Sequence, residues 1–279
     1  MANSLDKPIN KDEVHSAIKK VDVMKQDFGI DIPVESVPLP SMGVIYDKNS
    51  SLYNKETIDI RPMTAREEDI LTSRSYIKNG TVLTELIKSC LVDKSIDPDD
   101  LISGDKNAIL IALRVTGYGA DYEVEVDCPV CSYTNKSTFN LGDLKIKRLE
   151  IDPLEEGENL FQVQLPVTKK NVKVKFLNGH DEKEMTIINE RKRKNGINSE
   201  TSVTDRLCRS ITEIEGITDK NKIRMFVNNM PARDSLSLRN FLDRHEPGID
   251  MKVYLNCISC HEESEVDLPM GTSFFWPDS

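Results

Sequence analysis

The sequence has no apolar run approaching the roughly 18 residues that a membrane-spanning helix needs, and its opening Met-Ala-Asn-Ser-Leu-Asp-Lys-Pro lacks the apolar core of a secretory signal. No membrane association is expected, and the expected compartment is a cytoplasm. Positive charge is also scarce: 37 Lys+Arg stand against 47 Asp+Glu, a formal net charge of -10 at pH 7. That balance works against a polyanion and favours basic partners. Catalytic machinery is missing as well. Gly104-Asp-Lys-Asn107 lacks the Gly-Lys-Ser/Thr ending of a phosphate-binding loop. His180-Asp181 and His245-Glu246 pair histidine with carboxylate, but each stands at a predicted helix boundary without a serine or cysteine nucleophile nearby in sequence, so capping and solvent contact are the simpler roles. Neither an enzyme nor a small-molecule substrate site is expected.

What is present is a chain of 279 residues, 38% apolar and 30% charged, enough for one good core or a core with a smaller lobe. Residues 1–35 form a predicted helical arm and a proline-rich linker. Val14, Ile18, Val21 and Met24 fall on one narrow apolar seam that suits light docking or a partner helix. The three prolines between Asp31 and Gly43 each fix φ and remove a backbone donor, so that stretch should be extended and irregular.

Residues 36–145 read as a helical body. After a short strand near Ile58 to Ile60, Thr64-Ala-Arg-Glu67 has the spacing of a capping box and opens a helix reaching about Ser75. Leu83, Leu86, Ile87, Cys90 and Leu91 give the next helix its apolar face. A third, with Asp105 as its expected cap, runs through Ala108-Ile-Leu-Ile-Ala-Leu-Arg-Val115, is apolar nearly all round and should be central; Gly117 and Gly119 stop it. Residues 146–245 look like an insertion. Phe161-Gln-Val-Gln-Leu165 and Val172-Lys-Val-Lys-Phe176 alternate as a hairpin. Helices follow near 181–194, 202–210 and 219–229, and one from Pro231 buries Leu238, Phe241 and Leu242. Residues 246–279 close the chain with a strand, a second cysteine pair and an aromatic tail. The fold class is α+β: a mainly helical body, short strands, and a split zinc ribbon of two Cys-x-x-Cys knuckles.

The cysteines carry the strongest chemical signal. Four of the six form the pairs Cys128/Cys131 and Cys257/Cys260. Their approaches align, Asp121-Tyr-Glu-Val-Glu-Val-Asp-Cys128 against Asp250-Met-Lys-Val-Tyr-Leu-Asn-Cys257, as a weak internal repeat of strand, knuckle and strand. Two residues between cysteines let both thiolates turn toward one point while turn amides bond the sulfurs, so two such knuckles supply the tetrahedral four-sulfur set that zinc accepts. The 125 residues between Cys131 and Cys257 far exceed the roughly 15 to 20 of a compact ribbon. One structural Zn2+ per chain would tie distant segments together. Redox chemistry fits poorly, because Cys131 is followed by Ser-Tyr-Thr-Asn and Cys260 by an acidic strand rather than by a helix. His261 could replace one sulfur, though surface exposure is its simpler role. Cys90 and Cys208 lie in helical apolar patterns and should be buried.

Both ribbon arms are acidic, with five carboxylates against two lysines in 118–145 and six against one in 250–279. A DNA-reading ribbon needs the opposite sign. The basic run Arg191-Lys-Arg-Lys194 is expected in the last turn of a helix, where the macrodipole favours it. Phe274, Phe275 and Trp276 are a large aromatic payload near the end of the sequence, which either folds back on the ribbon or anchors a partner.

Three segments carry a resemblance: Val37-Pro-Leu-Pro-Ser-Met-Gly-Val-Ile-Tyr46, Ile60-Arg-Pro-Met-Thr-Ala-Arg-Glu-Glu-Asp-Ile-Leu71 and Gly104-Asp-Lys-Asn-Ala-Ile-Leu-Ile-Ala-Leu-Arg114. With Tyr118-Gly119, Cys-Pro-x-Cys and the Phe-Trp-Pro ending, they resemble the T-even-type bacteriophage baseplate hub family over about residues 36–145 and 246–279. The resemblance implies a non-enzymatic role as a virion component of a contractile tail or an assembly chaperone, located in the tail baseplate or in the host cytoplasm during assembly, with other hub or tail proteins as partners. The arm residues Val14, Ile18 and Val21 and the tail aromatics are the candidate contacts. The competing reading is a phage-encoded zinc-ribbon nucleic-acid-binding or transcription-associated factor.

Overall fold

The structure is a computed structural model that describes Gly29, Asp31 and residues 33–194, 202–270 and 272–275. The expected arm of residues 13–27 lies outside the described residues, and so does Trp276. Within the proline-rich stretch expected to be irregular, β1 (Glu35–Pro38) pairs antiparallel with β2 (Thr57–Ile60), placing Val37 opposite Ile58. The pair forms its own two-stranded sheet, so the missing amide of Pro38 falls at a strand end where it costs little.

Three helices follow. In α1 (Ala65–Thr72) the Glu67 carboxylate accepts from the Thr64 amide at 2.9 Å and its hydroxyl at 2.6 Å. The same carboxylate takes Arg61 at 2.7 Å and Ser89 at 2.6 Å, so the Arg-Pro-Met-Thr-Ala-Arg-Glu segment folds onto α3 (Val82–Cys90). The single helix expected to reach Ser75 is divided. Ser73 takes ψ of 110°, ending α1 and opening α2 (Arg74–Asn79).

Helix α4 (Ser103–Tyr118) is central, with Ile109 and Leu113 fully buried. Asp105 is not its cap. It sits inside the first turn, fully buried, and accepts from the Ser41 amide at 2.9 Å and the Tyr46 hydroxyl at 2.6 Å. The Tyr46 oxygen in turn accepts from the Ile102 amide at 3.1 Å, satisfying an N-H that the helix leaves unpaired. Two glycines beside these residues permit other close backbone contacts. A Cβ on Gly43, at φ 74°, would meet the Lys55 nitrogen at 2.3 Å, and one on Gly104 would meet the Pro247 carbonyl oxygen at 1.7 Å.

The two ends of the stretch expected to be inserted lie together, because β5 (Ile146–Lys147) pairs with β9 (Gly248–Ile249). Between them β6 (Phe161–Gln164) and β7 (Asn171–Val174) form the expected hairpin. A third strand, β8 (Ile211–Ile214), joins the far edge of β7. It was not foreseen, since a four-residue strand directly after a helix is too short to show a period. Helices α5 (Gly179–Lys194), α6 (Ser202–Ser210), α7 (Lys220–Asn229) and α8 (Ala232–His245) occupy the expected positions. Phe161, Val174, Leu207 and Leu238 belong to the same continuous core as Leu86 and Ile109.

Candidate metal centre

Strand β3 (Asp121–Asp127) pairs with β4 (Thr134–Asn140), and β10 (Lys252–Asn256) pairs with β11 (Glu263–Asp267). The loop of each hairpin is one cysteine knuckle, and the two loops are built alike. The Cys128 amide bonds the Tyr133 carbonyl at 2.9 Å and the Ser132 amide bonds the Cys128 carbonyl at 2.8 Å; the Cys257 amide bonds the Glu262 carbonyl at 3.1 Å and the His261 amide bonds the Cys257 carbonyl at 2.9 Å. Ser132 and His261 both take positive φ, 56° and 62°, at equivalent positions of the repeat.

The hairpins meet knuckle to knuckle. All four sulfurs lie within 4.8 Å of one another, with Cys128 3.7 Å from Cys260 and Cys131 3.6 Å from Cys257. Four sulfurs about 2.3 Å from one tetrahedral ion would stand about 3.8 Å apart, so the donor set fits a thiolate-preferring divalent cation and could hold one. The electrostatics agree. Amide N-H groups of Cys260 and Ser259 lower the Cys257 thiol to about 6, helped by Asn135. The Glu262 amide also favours a Cys260 thiolate, but burial and the three neighbouring sulfurs outweigh it and push that thiol up to about 12. Four sulfurs this close cannot all be ionised without a cation among them. His261 is exposed and outside the cluster.

Beneath the sulfurs Val126 and Leu255 form a small apolar cluster with Cys128 and Cys257, which meets the main core at Val124 and Phe139. One residue that sequence reasoning missed joins the knuckles. Asn135 is fully buried; its amide group donates to the Tyr133 carbonyl at 2.9 Å and lies 3.6 Å from the Cys257 sulfur, while its oxygen accepts from the Ile258 amide at 3.0 Å. The available signal was a polar residue on the inner face of an alternating strand, two and four positions before Ser137 and Phe139.

The whole arrangement lies within a stretch that matches a known family. A family model described as T4 bacteriophage base plate protein matches residues 45–276. The chain belongs to that family. No curated protein and no solved structure matches it. In this baseplate protein the segments carrying the resemblance hold one another through side chains: Ser41 and Tyr46 serve Asp105, and Arg61 serves Glu67.

Two of the three tail aromatics fall on described residues. In the short turn Thr272–Phe275, Phe274 is fully buried and Phe275 is 1% exposed. Phe274 packs edge-on to Tyr122 at 5.0 Å, and the Tyr122 hydroxyl donates to the Pro269 carbonyl at 3.0 Å. They fill the baseplate protein's own core. Arg114 fixes the segment by donating to the Phe274 carbonyl at 2.9 Å. Val14, Ile18, Val21 and Trp276 lie outside the described residues. Cys90 is buried and Cys208 partly so. The basic run ends α5, where Lys192 meets Asp205 at 2.5 Å. His180 faces Asp100 at 3.1 Å, and the His245 ring lies tilted against Phe241 with centroids 4.7 Å apart. No helix among the described residues is long and apolar enough to cross a membrane.

On the outer faces of the hairpins every second residue of β3 is an exposed carboxylate, Asp121, Glu123, Glu125 and Asp127, and β11 repeats the pattern with Glu263, Glu265 and Asp267.

Proposed function

We propose that the chain is a structural or assembly component of the baseplate hub, acting through protein-protein contacts and holding one structural zinc ion with Cys128, Cys131, Cys257 and Cys260. The observation that carries the metal half is the convergence of four sulfurs from two like-built turns. Zinc suits a closed four-thiolate set without an open coordination position, which is the signature of a structural rather than a catalytic ion. Family membership supports the hub half. The same reading leaves the protein without enzymatic activity, in the tail or in assembly intermediates in the host cytoplasm.

A nucleic-acid role finds little support. The outer carboxylates of both hairpins would face a phosphate backbone with like charge. Elemental analysis of the purified protein should return one zinc per chain, and Cys257→Ser should abolish stoichiometric binding. Metal-free protein whose four cysteines titrate as free thiols, with both hairpins intact, would overturn the metal reading. Absence of the protein from both tails and tail intermediates would overturn the hub reading.

A further inference from the structure

With Phe274 and Phe275 in the core, the exposed apolar residues of the ribbon, apart from Tyr254 on the outer face of β10, lie at its opposite end. Val130 is 63% exposed, Ile258 67% and Tyr133 44%. Val130 and Ile258 stand between the cysteines of the two turns, and those turns approach to 3.6 Å between the Cys131 and Cys257 sulfurs. The turns do not need aliphatic residues there; Ser259 fills a neighbouring position of the second turn without difficulty. Solvent-facing Val and Ile on two fused turns therefore serve contact rather than folding.

Charge identifies the kind of contact. Of the cations on the outer hairpin faces, Lys136 is engaged by Glu123 at 2.5 Å and Lys252 by Glu265 at 3.1 Å, leaving most of the carboxylates uncompensated. A dication on four thiolates adds further negative charge at the same end.

We infer that the paired knuckle tips dock a basic, apolar-centred segment of another baseplate protein. An aliphatic or aromatic side chain of that segment covers Val130, Ile258 and Tyr133, while its lysines or arginines lie along the outer carboxylates. This rests on the metal reading, because the ion holds the two turns side by side. A second copy is a poor occupant, since each copy carries a formal charge of -10. The contrasting surface is the groove between α8 and β6, where Leu236 and Phe241 lie between Arg233 and Arg244. It provides a control of opposite sign.

The test places a photo-crosslinking amino acid at Val130, Ile258 or, as control, Leu236 in full-length protein made during infection, and sequences the adducts from tails and tail intermediates. Positions 130 and 258 should give adducts to a lysine- or arginine-rich segment of a different protein, and position 236 should not give the same adduct. Adducts to a second copy, to nucleic acid or to an acidic segment would overturn the inference, as would none from either knuckle position. Val130→Ser/Ile258→Ser, at unchanged metal content and unfolding midpoint, should weaken the association at least about tenfold, a change of about 1.4 kcal/mol; unchanged association refutes it. Stoichiometric zinc without knuckle adducts sinks the docking surface alone, and basic adducts from metal-free protein sink the zinc reading alone.

Discussion

Arg114 is the residue whose replacement tests most directly how the tail and the first hairpin are held. It is 2% exposed, and among the described residues no carboxylate pairs with it. Its guanidinium instead donates Nε to the Phe274 carbonyl at 2.9 Å, one terminal nitrogen to Gly119 at 2.7 Å and the other to Asp121 at 3.1 Å, with the Tyr118 ring centred 5.5 Å away. One planar group thereby joins the end of α4, the start of β3 and the chain's final described turn. Burial lowers its pKa, yet arginine stays protonated at neutral pH. The carbonyls are what make the buried charge tolerable.

Arg114→Met keeps much of the stem and removes every donor. Gly119 and Asp121 are exposed, so their carbonyls can turn to water, whereas Phe274 is buried and its carbonyl is orphaned. An orphaned buried acceptor costs about 1–3 kcal/mol and each rehydrated bond about 0.5 kcal/mol, offset in part by no longer burying a charge, for a net loss of about 2–3 kcal/mol. With a urea m-value of about 3 kcal/mol/M that is a midpoint shift of close to 1 M. Arg114→Lys keeps the charge but reaches fewer carbonyls, so it should cost at least as much as Met. Chymotrypsin should cut the Phe274-Phe275 segment faster in both variants. A lysine variant within about 0.5 kcal/mol of the parent would refute the reasoning, because the fork geometry would then not matter.

Three further outcomes follow from the same structure. Burial alone would raise the Glu67 carboxyl, but Arg61, Ser89 and Thr64 overcome it and hold the group at about 2 against an ordinary 4.5. A depressed carboxyl contributes stability above its unfolded pKa and loses it as pH falls through the folded one, so Glu67→Gln should cost about 3 kcal/mol at pH 7, with the gap to the parent closing between pH 4.5 and 2; a pH-independent gap in urea titrations would contradict this. Asn135→Ala should weaken zinc retention against a competing chelator by about 10–100-fold, as loss of a group supporting a metal ligand does, and unchanged retention would remove Asn135 from the site. Chelation should strip hydrogen-exchange protection from β3, β4, β10 and β11 while α4 keeps its own, and equal loss throughout would show that the ion supports the entire core.

The legible and illegible parts of the sequence divide along physical lines. Helices with a strong apolar stripe, such as α3 and α8, and the alternating strands leading into each cysteine pair could be read because local pattern and tertiary burial agree. The four sulfurs were legible for the same reason, each pair being a local unit. Asp105 was misread because a carboxylate near a helix start is usually a cap, and only its contact with Ser41, 64 positions away, makes it a buried anchor. Asn135 was missed because its partners lie on the other hairpin, at Cys257 and Ile258. Phe274 and Phe275 left two readings open, since composition says that aromatics bury but not against what.

The separation of the two apolar clusters bears on what a metal here would do. If the ion were needed to close the body, the residues under the sulfurs should continue into the main core. Val126, Leu255, Cys128 and Cys257 instead form a cluster of their own that meets the main core at the partly buried Val124 and Phe139, while the main core runs without break from Val37 to Phe275 and already joins both halves of the chain through β5 and β9. The long gap between the cysteine pairs is thus bridged twice, once by ordinary packing and once by sulfur. The first bridge brings the roots of the hairpins together, at the ends of α4 and α8, and leaves their tips to part. Two two-stranded hairpins have little stability of their own in water, so their knuckle ends need a second fastening, which the proposed ion on the four sulfurs would supply at the point where Val130 and Ile258 face solvent. On this argument such an ion would fix the shape of the proposed contact surface more than the stability of the fold.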